Sequence, residues 1–152
     1  MSFKVIVKET SAKFSACHFL KEHVKCSRLH GHNYYVSVEI SDNLDKNFFV
    51  VDFMELNENL KKIIEPMDHY ILVPTESEDI KIKKSKDSVE INVKPGKRYV
   101  LPISDVCFLP IPATTSELLA KFIHDKLKEI YKNKKIVVKV GESRNSIASY
   151  EE

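Results

Sequence analysis

The sequence predicts an α+β fold, in which an antiparallel β-sheet carries two helices on one of its faces. Segments with strand-like alternation of apolar and polar residues lie near both ends of the chain, and two segments with helical periodicity lie between them. We find no internal repeat and no low-complexity linker. A chain of 152 residues is within the usual size of one domain, so we expect a single domain over residues 1–152.

The first part of the chain is predicted to form two strands. Apolar residues alternate over residues 3–16 but change parity on the way, which predicts one long strand with a bulge at residues 10–13. A second alternating segment predicts a strand over residues 32–40. A turn at residues 43–46 and a short extended piece at residues 48–51 are expected to follow.

The first helix is predicted to begin at Asp52 and to end before Pro66, which cannot continue a helix. Glu55 follows Asp52 by three residues, the spacing of a capping box. The apolar stripe of this helix consists of Phe53, Leu56, Leu60, Ile63 and Ile64. This stripe predicts that one side of the helix is buried.

The second helix is predicted to begin at residues 114–117 and to continue to about Asn133. Glu117 follows Thr114 by three residues, so a second capping box accounts for it. Its predicted buried residues are Leu118, Leu119, Phe122, Ile123, Leu127 and Ile130. A last strand is expected over residues 136–140.

Between the two helices, residues 79–103 alternate again and contain a Pro95-Gly96 turn. This pattern predicts an additional antiparallel ribbon within an extended segment at about residues 76–105. The ribbon and the open sheet both leave strand edges, and association of chains through such edges would cover them.

Composition excludes several classes of protein. With 24 basic and 22 acidic residues the net charge is +2, so nothing favours binding of nucleic acid or an anionic membrane. The three cysteines, Cys17, Cys26 and Cys107, have no paired spacing, which indicates free thiols in a reducing compartment. The first eight residues lack the apolar core of a signal peptide, and no segment is apolar enough to span a membrane. We therefore expect a cytoplasmic protein.

The sequence His30-Gly31-His32 is the strongest chemical signal in the chain. Side chains two residues apart in a strand share a face, so both imidazoles can reach one metal ion. The residues that follow on this face are Tyr34, Val36, Val38 and Ile40. Imidazoles on an apolar face are costly unless something binds them. Three histidines and an open position are typical of catalytic zinc, and His18 is the best third ligand, with His23 as its rival.

Six motifs together resemble the family of 6-pyruvoyltetrahydropterin synthase and 6-carboxytetrahydropterin synthase. In order, they are residues 14–18 (FSACH), 26–34 (CSRLHGHNY), 51–53 (VDF), 67–70 (MDHY), 115–117 (TSE) and 140–143 (VGES). They extend over nearly the whole chain, which makes the resemblance far more specific than any single motif.

The resemblance implies a tunnelling fold, in which each subunit contributes a four-stranded antiparallel sheet and two helices. Subunits of this family usually assemble as two stacked trimers into a barrel, so a homohexamer is implied. The resemblance also implies Zn²⁺ held by His18, His30 and His32, and a pterin triphosphate substrate bound between subunits.

The resemblance further implies catalytic roles for Cys26, Asp68 and His69. Cys26 would act as a thiolate base close to the metal, and Asp68 would orient His69 as a second proton carrier. The residues implied in the pterin pocket are Thr115, Ser116, Glu117 and Glu142. Glu142 would anchor the pterin, because a carboxylate can accept two parallel hydrogen bonds from an aminopyrimidinone edge.

The three residues between Cys26 and His30 resemble the 6-carboxy branch, which serves deazaguanine nucleoside pathways. We therefore expect conversion of 7,8-dihydroneopterin triphosphate to 6-carboxytetrahydropterin, with release of triphosphate and acetaldehyde. The alternatives are a 6-pyruvoyltetrahydropterin synthase, a dihydroneopterin aldolase and a metal-stabilised assembly module without turnover. Many relatives have a basic residue where this chain has Phe19, which leaves Lys21 and Arg28 as candidates for binding the triphosphate.

Overall fold

The computed structural model describes residues 2–8 and 11–152 of the chain. The strands are β1 (Phe3–Val7), β2 (Lys13–His18), β3 (His30–Asp42), β4 (Tyr70–Pro74), β5 (Ile80–Lys84), β6 (Ser88–Val93), β7 (Lys97–Pro102), β8 (Val106–Leu109), β9 (Lys135–Gly141) and β10 (Ile147–Glu151). The helices are α1 (Phe53–Ile64) and α2 (Ser116–Ile130), and the 3-10 helices are Glu65–Met67 and Ile103–Asp105.

The main sheet is mixed, whereas the sequence predicted an antiparallel one. Its strands lie in the order β10, β9, β3, β2, β4, β8, and β1 also pairs with β3. The strands β1, β2, β3, β9 and β10 pair antiparallel, but β4 runs parallel to β2 and β8 runs parallel to β4. The prediction was wrong because β4 and β8 are short apolar runs without alternation, and it did not include them as strands.

Both helices pack against the same face of the main sheet, as predicted. The side chains of β3 that point to this face are Tyr34, Val36, Val38 and Ile40, all with zero exposure. They pack in one cluster with the buried residues of β9, α1 and α2, which we call the main core. This is the face to which His30 and His32 also belong by alternation.

Helix α1 begins as predicted, but one residue of its predicted apolar stripe is exposed. The Asp52 side chain accepts hydrogen bonds from the backbone N–H groups of Met54 and Glu55, at 2.8 and 3.0 Å. Pro66 lies in the 3-10 turn that follows the helix. Phe53, expected to be buried, is 62% exposed because it lies in the first turn, at the rim of the core. Among the described residues, no helix has the length and apolar character needed to cross a membrane.

The predicted first strand is two strands, β1 and β2, which pair with successive parts of β3. Thr10, in the predicted bulge, lies outside the described residues. The extended piece expected at residues 48–51 is not a strand, because the chain turns at Asp45, whose carboxylate accepts hydrogen bonds from the N–H groups of Asn47 and Phe49.

The predicted ribbon forms a separate antiparallel sheet of β5, β6 and β7, and we call residues 80–102 the ribbon. One of its faces covers β4 and β8. The buried side chains between them form a second cluster, which we call the ribbon core: Phe19, Val73, Val89, Ile91, Val93 and Val106. The molecule therefore has two apolar clusters, and Phe19 belongs to the smaller one.

Candidate functional site

Strand pairing brings His18, His30 and His32 together. His18 ends β2 and lies directly across from His30, the first residue of β3. His32 is two residues further along β3 and shares the face of His30. The ring centroids of the three imidazoles are 4.6 to 5.1 Å apart. One nitrogen from each ring lies within 4.8 Å of the others, which is close enough for all three to bind one ion.

Hydrogen bonds on the far side of two rings direct their free nitrogens towards this common point. The Nδ1 of His18 lies 2.9 Å from the carbonyl oxygen of Thr114, and the Nδ1 of His30 lies 2.6 Å from that of Arg28. A carbonyl oxygen only accepts, so Nδ1 carries the proton and Nε2 keeps its lone pair. Within the described chain, the Nε2 atoms of all three histidines are buried without a hydrogen-bond partner.

Burial keeps two of these imidazoles in the neutral form. Removal from water lowers the pKa of His18 and of His32, although the carboxylate of Glu142 opposes this shift. A metal ligand must be neutral imidazole, and buried nitrogens without partners are costly. The residues of this trio, which we call the histidine trio, therefore fit a metal ion such as zinc.

His23, the rival third ligand, is not part of the trio. It is exposed, and its Nδ1 accepts a hydrogen bond from the backbone N–H of Cys26 at 3.1 Å. Among the described residues, the group of ligands close enough for a metal contains His18 and not His23. The structure thus favours the first choice that the sequence offered.

A cavity of about 440 Å³ lies beside the trio and is lined by half of the predicted site residues. Its walls come from the connection between β2 and β3, from the start of α2 and from the turn before β10. The residues are Leu20, His23, Cys26, Thr115, Ser116, Glu117, Glu142, Ser146, Ile147 and Ala148. Five residues that were implied only by the resemblance, Cys26 and the four of the pterin pocket, therefore share one cavity.

Glu142 joins this cavity to the histidine trio. Its carboxylate oxygens lie 3.7 Å from the Nε2 of His18 and 3.6 Å from the Nε2 of His32. The tight turn after β9 places it there, and Gly141 permits this turn. A Cβ at Gly141 would lie 2.6 Å from the carbonyl oxygen of Ser143 and 2.9 Å from that of Ser146, so any other residue would displace the backbone.

The start of α2 differs from the prediction in a way that affects Glu117. The N-cap is Thr115, whose side chain accepts from the N–H of Leu118, and Thr114 lies outside the helix. The capping box predicted from Thr114 and Glu117 is therefore wrong. The exposed carboxylate of Glu117 is not occupied by capping and lines the cavity. The helix also ends at Ile130 instead of Asn133, and Ile130 is 47% exposed because its side chain lies in the last turn.

Asp68 and His69 form an ordered pair. The Oδ1 of Asp68 accepts from the N–H of Ser15 at 2.8 Å, and its Oδ2 lies 2.9 Å from the Nδ1 of His69. The hydrogen bond from Ser15, and then that from His69, holds the pKa of Asp68 below its usual value. His69 has φ 65°, a left-handed conformation that favours glycine. The hydrogen bond from its N–H to the Ser15 carbonyl oxygen stabilises this strained conformation.

This pair is not brought to Cys26 within one chain. Asp68 and His69 line a different cavity, of about 780 Å³, with Ser15, Cys17 and Asn33. Those three side chains alternate with the buried ones of β2 and β3, so they lie on the face opposite the helices, and His32 of the trio also lines this cavity. The side chain of His69 is 80% exposed there.

Two residues of the site were missed by sequence reasoning. Thr114 has zero exposure and acts through its backbone carbonyl, which no side-chain pattern reveals. Tyr34 was taken only as apolar, but its hydroxyl is buried beside the rings of His18 and His32 without a described partner. Burial, and then the charge of Glu142, raise the pKa of Tyr34, so the hydroxyl stays protonated.

Comparison with known proteins agrees with this geometry. A sequence model of the family described as 6-pyruvoyl tetrahydropterin synthase matches residues 6–152. A 6-carboxy-5,6,7,8-tetrahydropterin synthase of Haemophilus influenzae is 31% identical over 145 residues, covering 91% of this chain and 94% of that protein. One of Aquifex aeolicus is 33% identical over 136 residues, covering 84% and 76%.

The fold is also similar to that of a solved structure. The 6-pyruvoyl tetrahydropterin synthase of Plasmodium falciparum has a TM-score of 0.90 and 28% identity, with 99% of this chain and 98% of that chain covered. The similarity therefore extends over nearly the whole chain, in sequence and in structure.

Proposed function

Because the chain belongs to the 6-pyruvoyl tetrahydropterin synthase family, we propose that it is a zinc-dependent lyase of the 6-carboxy branch. Its substrates are 7,8-dihydroneopterin triphosphate and water, and its products are 6-carboxy-5,6,7,8-tetrahydropterin, triphosphate and acetaldehyde. One observation carries this proposal: the three free Nε2 atoms of the histidine trio converge beside a cavity that Cys26 and Glu142 line.

In this proposal, His18, His30 and His32 hold the zinc ion. When bound, zinc polarises substrate oxygens and makes the attached hydroxyl groups more acidic. Cys26 moves a proton at a carbon of the substrate side chain. It can do so because Cys26 lines the cavity beside the trio and is not one of the metal ligands. The bond between the first and second carbons of the substrate side chain breaks with addition of water, so that the first carbon stays as the carboxylate, with one oxygen from water, and the other two leave as acetaldehyde.

The pterin ring occupies the cavity between Glu142 and the start of α2. The carboxylate of Glu142 accepts two parallel hydrogen bonds from the aminopyrimidinone edge. Thr115, Ser116 and Glu117 line the other side. Lys21 forms ion pairs with Asp79 and Glu22, whereas the exposed Arg28 has no ion pair among the described residues. This difference favours Arg28 as the residue that binds the triphosphate.

The second proton carrier comes from a neighbouring chain in our proposal. Asp68 and His69 lie in a cavity other than that of Cys26, so a single chain does not assemble the full set. Binding of the substrate between subunits of a homohexamer, a dimer of trimers, would supply the pair. We infer that the whole chain acts as one such subunit in the cytoplasm.

Mixing inactive variants tests the shared site. Cys26→Ala and His69→Ala should each be nearly inactive alone. In oligomers reassembled at random from equal amounts of both, about a quarter of the sites combine an intact Cys26 with an intact His69, so about a quarter of wild-type activity should return. Mixtures of Cys26→Ala with His30→Ala, which should be inactive without zinc, are the matched control, because Cys26 and the histidine trio belong to the same chain's part of the site. Absence of recovery in the first mixture would contradict the shared site.

A product assay tests the function. Zinc-loaded protein is incubated with dihydroneopterin triphosphate, and triphosphate, acetaldehyde and the mass of the pterin are measured. We expect all three products of the 6-carboxy branch, and Cys26→Ala with full zinc serves as the matched control. The similarity to the Plasmodium falciparum structure supports a 6-pyruvoyl synthase as the second candidate.

Each other result identifies a different function. Triphosphate without acetaldehyde would indicate the 6-pyruvoyl branch, because that product keeps all three side-chain carbons. Glycolaldehyde from dephosphorylated dihydroneopterin would indicate an aldolase. No turnover of either substrate by zinc-loaded protein would contradict an enzyme and favour an assembly module.

A further inference from the structure

The connection between β2 and β3, residues 19–29, carries Cys26 and contacts the ribbon on one side, while at its start the Thr114 hydroxyl donates to the carbonyl oxygen of Phe19 at 3.5 Å. We call it the Cys26 loop. Its one fully buried side chain is Phe19, at 4% exposure, and residues 21–25 are exposed. Phe19 packs in the ribbon core and not in the main core. The apolar anchor of the Cys26 loop is therefore the ribbon core, to which β4 and β8 also contribute.

Two contacts hold the first part of the loop against the ribbon. The ring of Phe19 stacks on that of Tyr99 in β7, with centroids 5.2 Å apart and planes inclined by 26°. The Nζ of Lys21 lies 2.5 Å from the Oδ2 of Asp79, directly before β5. Asp79 is in turn fixed to the β6–β7 turn, because its carbonyl oxygen accepts from the N–H of Lys94 at 3.0 Å.

A third contact reaches the residue after Cys26. The Nζ of Lys97, the first residue of β7, donates a hydrogen bond to the carbonyl oxygen of Ser27. On its other side, Cys26 is fixed within the loop, since its carbonyl oxygen accepts from the N–H of Leu20 at 2.8 Å. The Lys97 contact is thus the one by which the ribbon restrains the backbone next to the thiol.

We propose that the ribbon positions Cys26 for proton transfer, and that Lys97 is the positioning residue, through its bond to the Ser27 carbonyl. This inference rests on the proposed function, which assigns the proton transfer to Cys26. A displacement of about 1 Å in a reacting group can cost about 100-fold in rate. Loss of the Lys97 contact alone, with the other two contacts of the loop retained, should lower the rate by less than this, about tenfold in kcat.

Steady-state kinetics with dihydroneopterin triphosphate test the role of Lys97. Lys97→Ala should lower kcat about tenfold and leave KM within about twofold, because the pterin contacts are unchanged. Lys97→Arg, which keeps a cationic donor, should restore most of kcat. Lys86→Ala is the matched control: Lys86 is also an exposed ribbon lysine, at the opposite turn, without a contact of its side chain among the described residues. A raised KM with unchanged kcat would show that Lys97 binds substrate, and would overturn the proposal.

A double variant separates action through Cys26 from a general loss of structure. If Lys97 acts through the thiol, Lys97→Ala should have no further effect on the residual turnover of Cys26→Ala. An undiminished tenfold effect in the Cys26→Ala background would overturn the positioning role.

Hydrogen exchange gives a readout that does not depend on the proposed reaction. Lys97→Ala should accelerate exchange of backbone amides in residues 19–29, with zinc content unchanged, whereas Lys86→Ala should not. If wild-type protein turns over no pterin, the proposed function fails, and exchange alone decides whether the ribbon restrains the loop. Unchanged exchange in Lys97→Ala would overturn the inference whatever the reaction.

Discussion

The histidine trio and Cys26 are close in sequence but are held by different parts of the molecule. His18, His30 and His32 lie on two strands that pair residue by residue above the main core. Cys26 lies on an exposed loop whose buried residue, Phe19, belongs to the ribbon core. The proposed metal ligands are thus fixed by the sheet, and the proposed proton carrier is fixed by a separate layer.

This difference separates two properties of the site. Backbone hydrogen bonds between paired strands are cooperative and open only with the sheet, whereas a loop held by a few side-chain contacts can open locally. Metal affinity should therefore follow the stability of the main core. The rate of proton transfer should also depend on the ribbon.

Removal of a ligand should have the largest effect. His30→Ala should lose the metal, about one zinc per chain in wild type, because two histidines no longer satisfy a three-histidine site. Metal analysis of purified protein checks this. His23→Ala is the control within the Cys26 loop and should retain zinc. Equal zinc in wild type and His30→Ala, or loss of zinc in His23→Ala only, would contradict the trio.

Removal of the thiol should have the next largest effect. Cys26→Ala should keep its zinc and bind pterin, yet lose about 100-fold or more in kcat, the usual contribution of a general base. Glu142→Ala should mainly raise KM, since it loses a contact that binds substrate. Cys107→Ala is the thiol control: burial raises the pKa of Cys107, so its thiol is protonated and inert at neutral pH. Full activity of Cys26→Ala would refute the thiolate base.

The sequence predicted the strands that carry the histidine trio better than it predicted the rest of the sheet. The alternation from Tyr34 to Ile40 is complete because one face of β3 is buried and the other is not. This alternation correctly predicted on which face of the strand His30 and His32 lie. In contrast, β4 is apolar at every position from Ile71 to Val73, so periodicity could not assign it. The sheet is mixed because β4 and β8 pair parallel, and these are the strands whose sequences do not alternate.

Prediction of the site stopped where backbone groups and the placement of side chains in separate cavities matter. The carbonyl oxygen of Thr114 orients His18, but any residue offers a carbonyl, so no motif reveals it. The interpretation of Glu117 as a cap was wrong because Thr114 and Thr115 are adjacent and either is a good N-cap by type. The Asp68–His69 pair and Cys26 line different cavities of the chain, and no pattern of residue types reveals which cavity a side chain lines.

The smallest effect we expect comes from one substitution made in each core. Val38 in the main core and Val89 in the ribbon core both have zero exposure. Replacement of either by alanine should lower the free energy of unfolding by about 2 kcal/mol, since each removes two buried methyl groups. Thermal denaturation checks that the two losses are similar.

The two valine variants should differ in function despite that similar loss. Val89→Ala loosens the layer against which Phe19 packs, so exchange in residues 19–29 should accelerate and kcat should fall about threefold, with zinc unchanged. Val38→Ala lies on the strand of His30 and His32, so zinc should dissociate more readily while kcat of the loaded protein stays near wild type. If both variants changed zinc affinity and loop exchange alike, the two layers would be a single cooperative unit, and the separation of metal binding from proton transfer would be wrong.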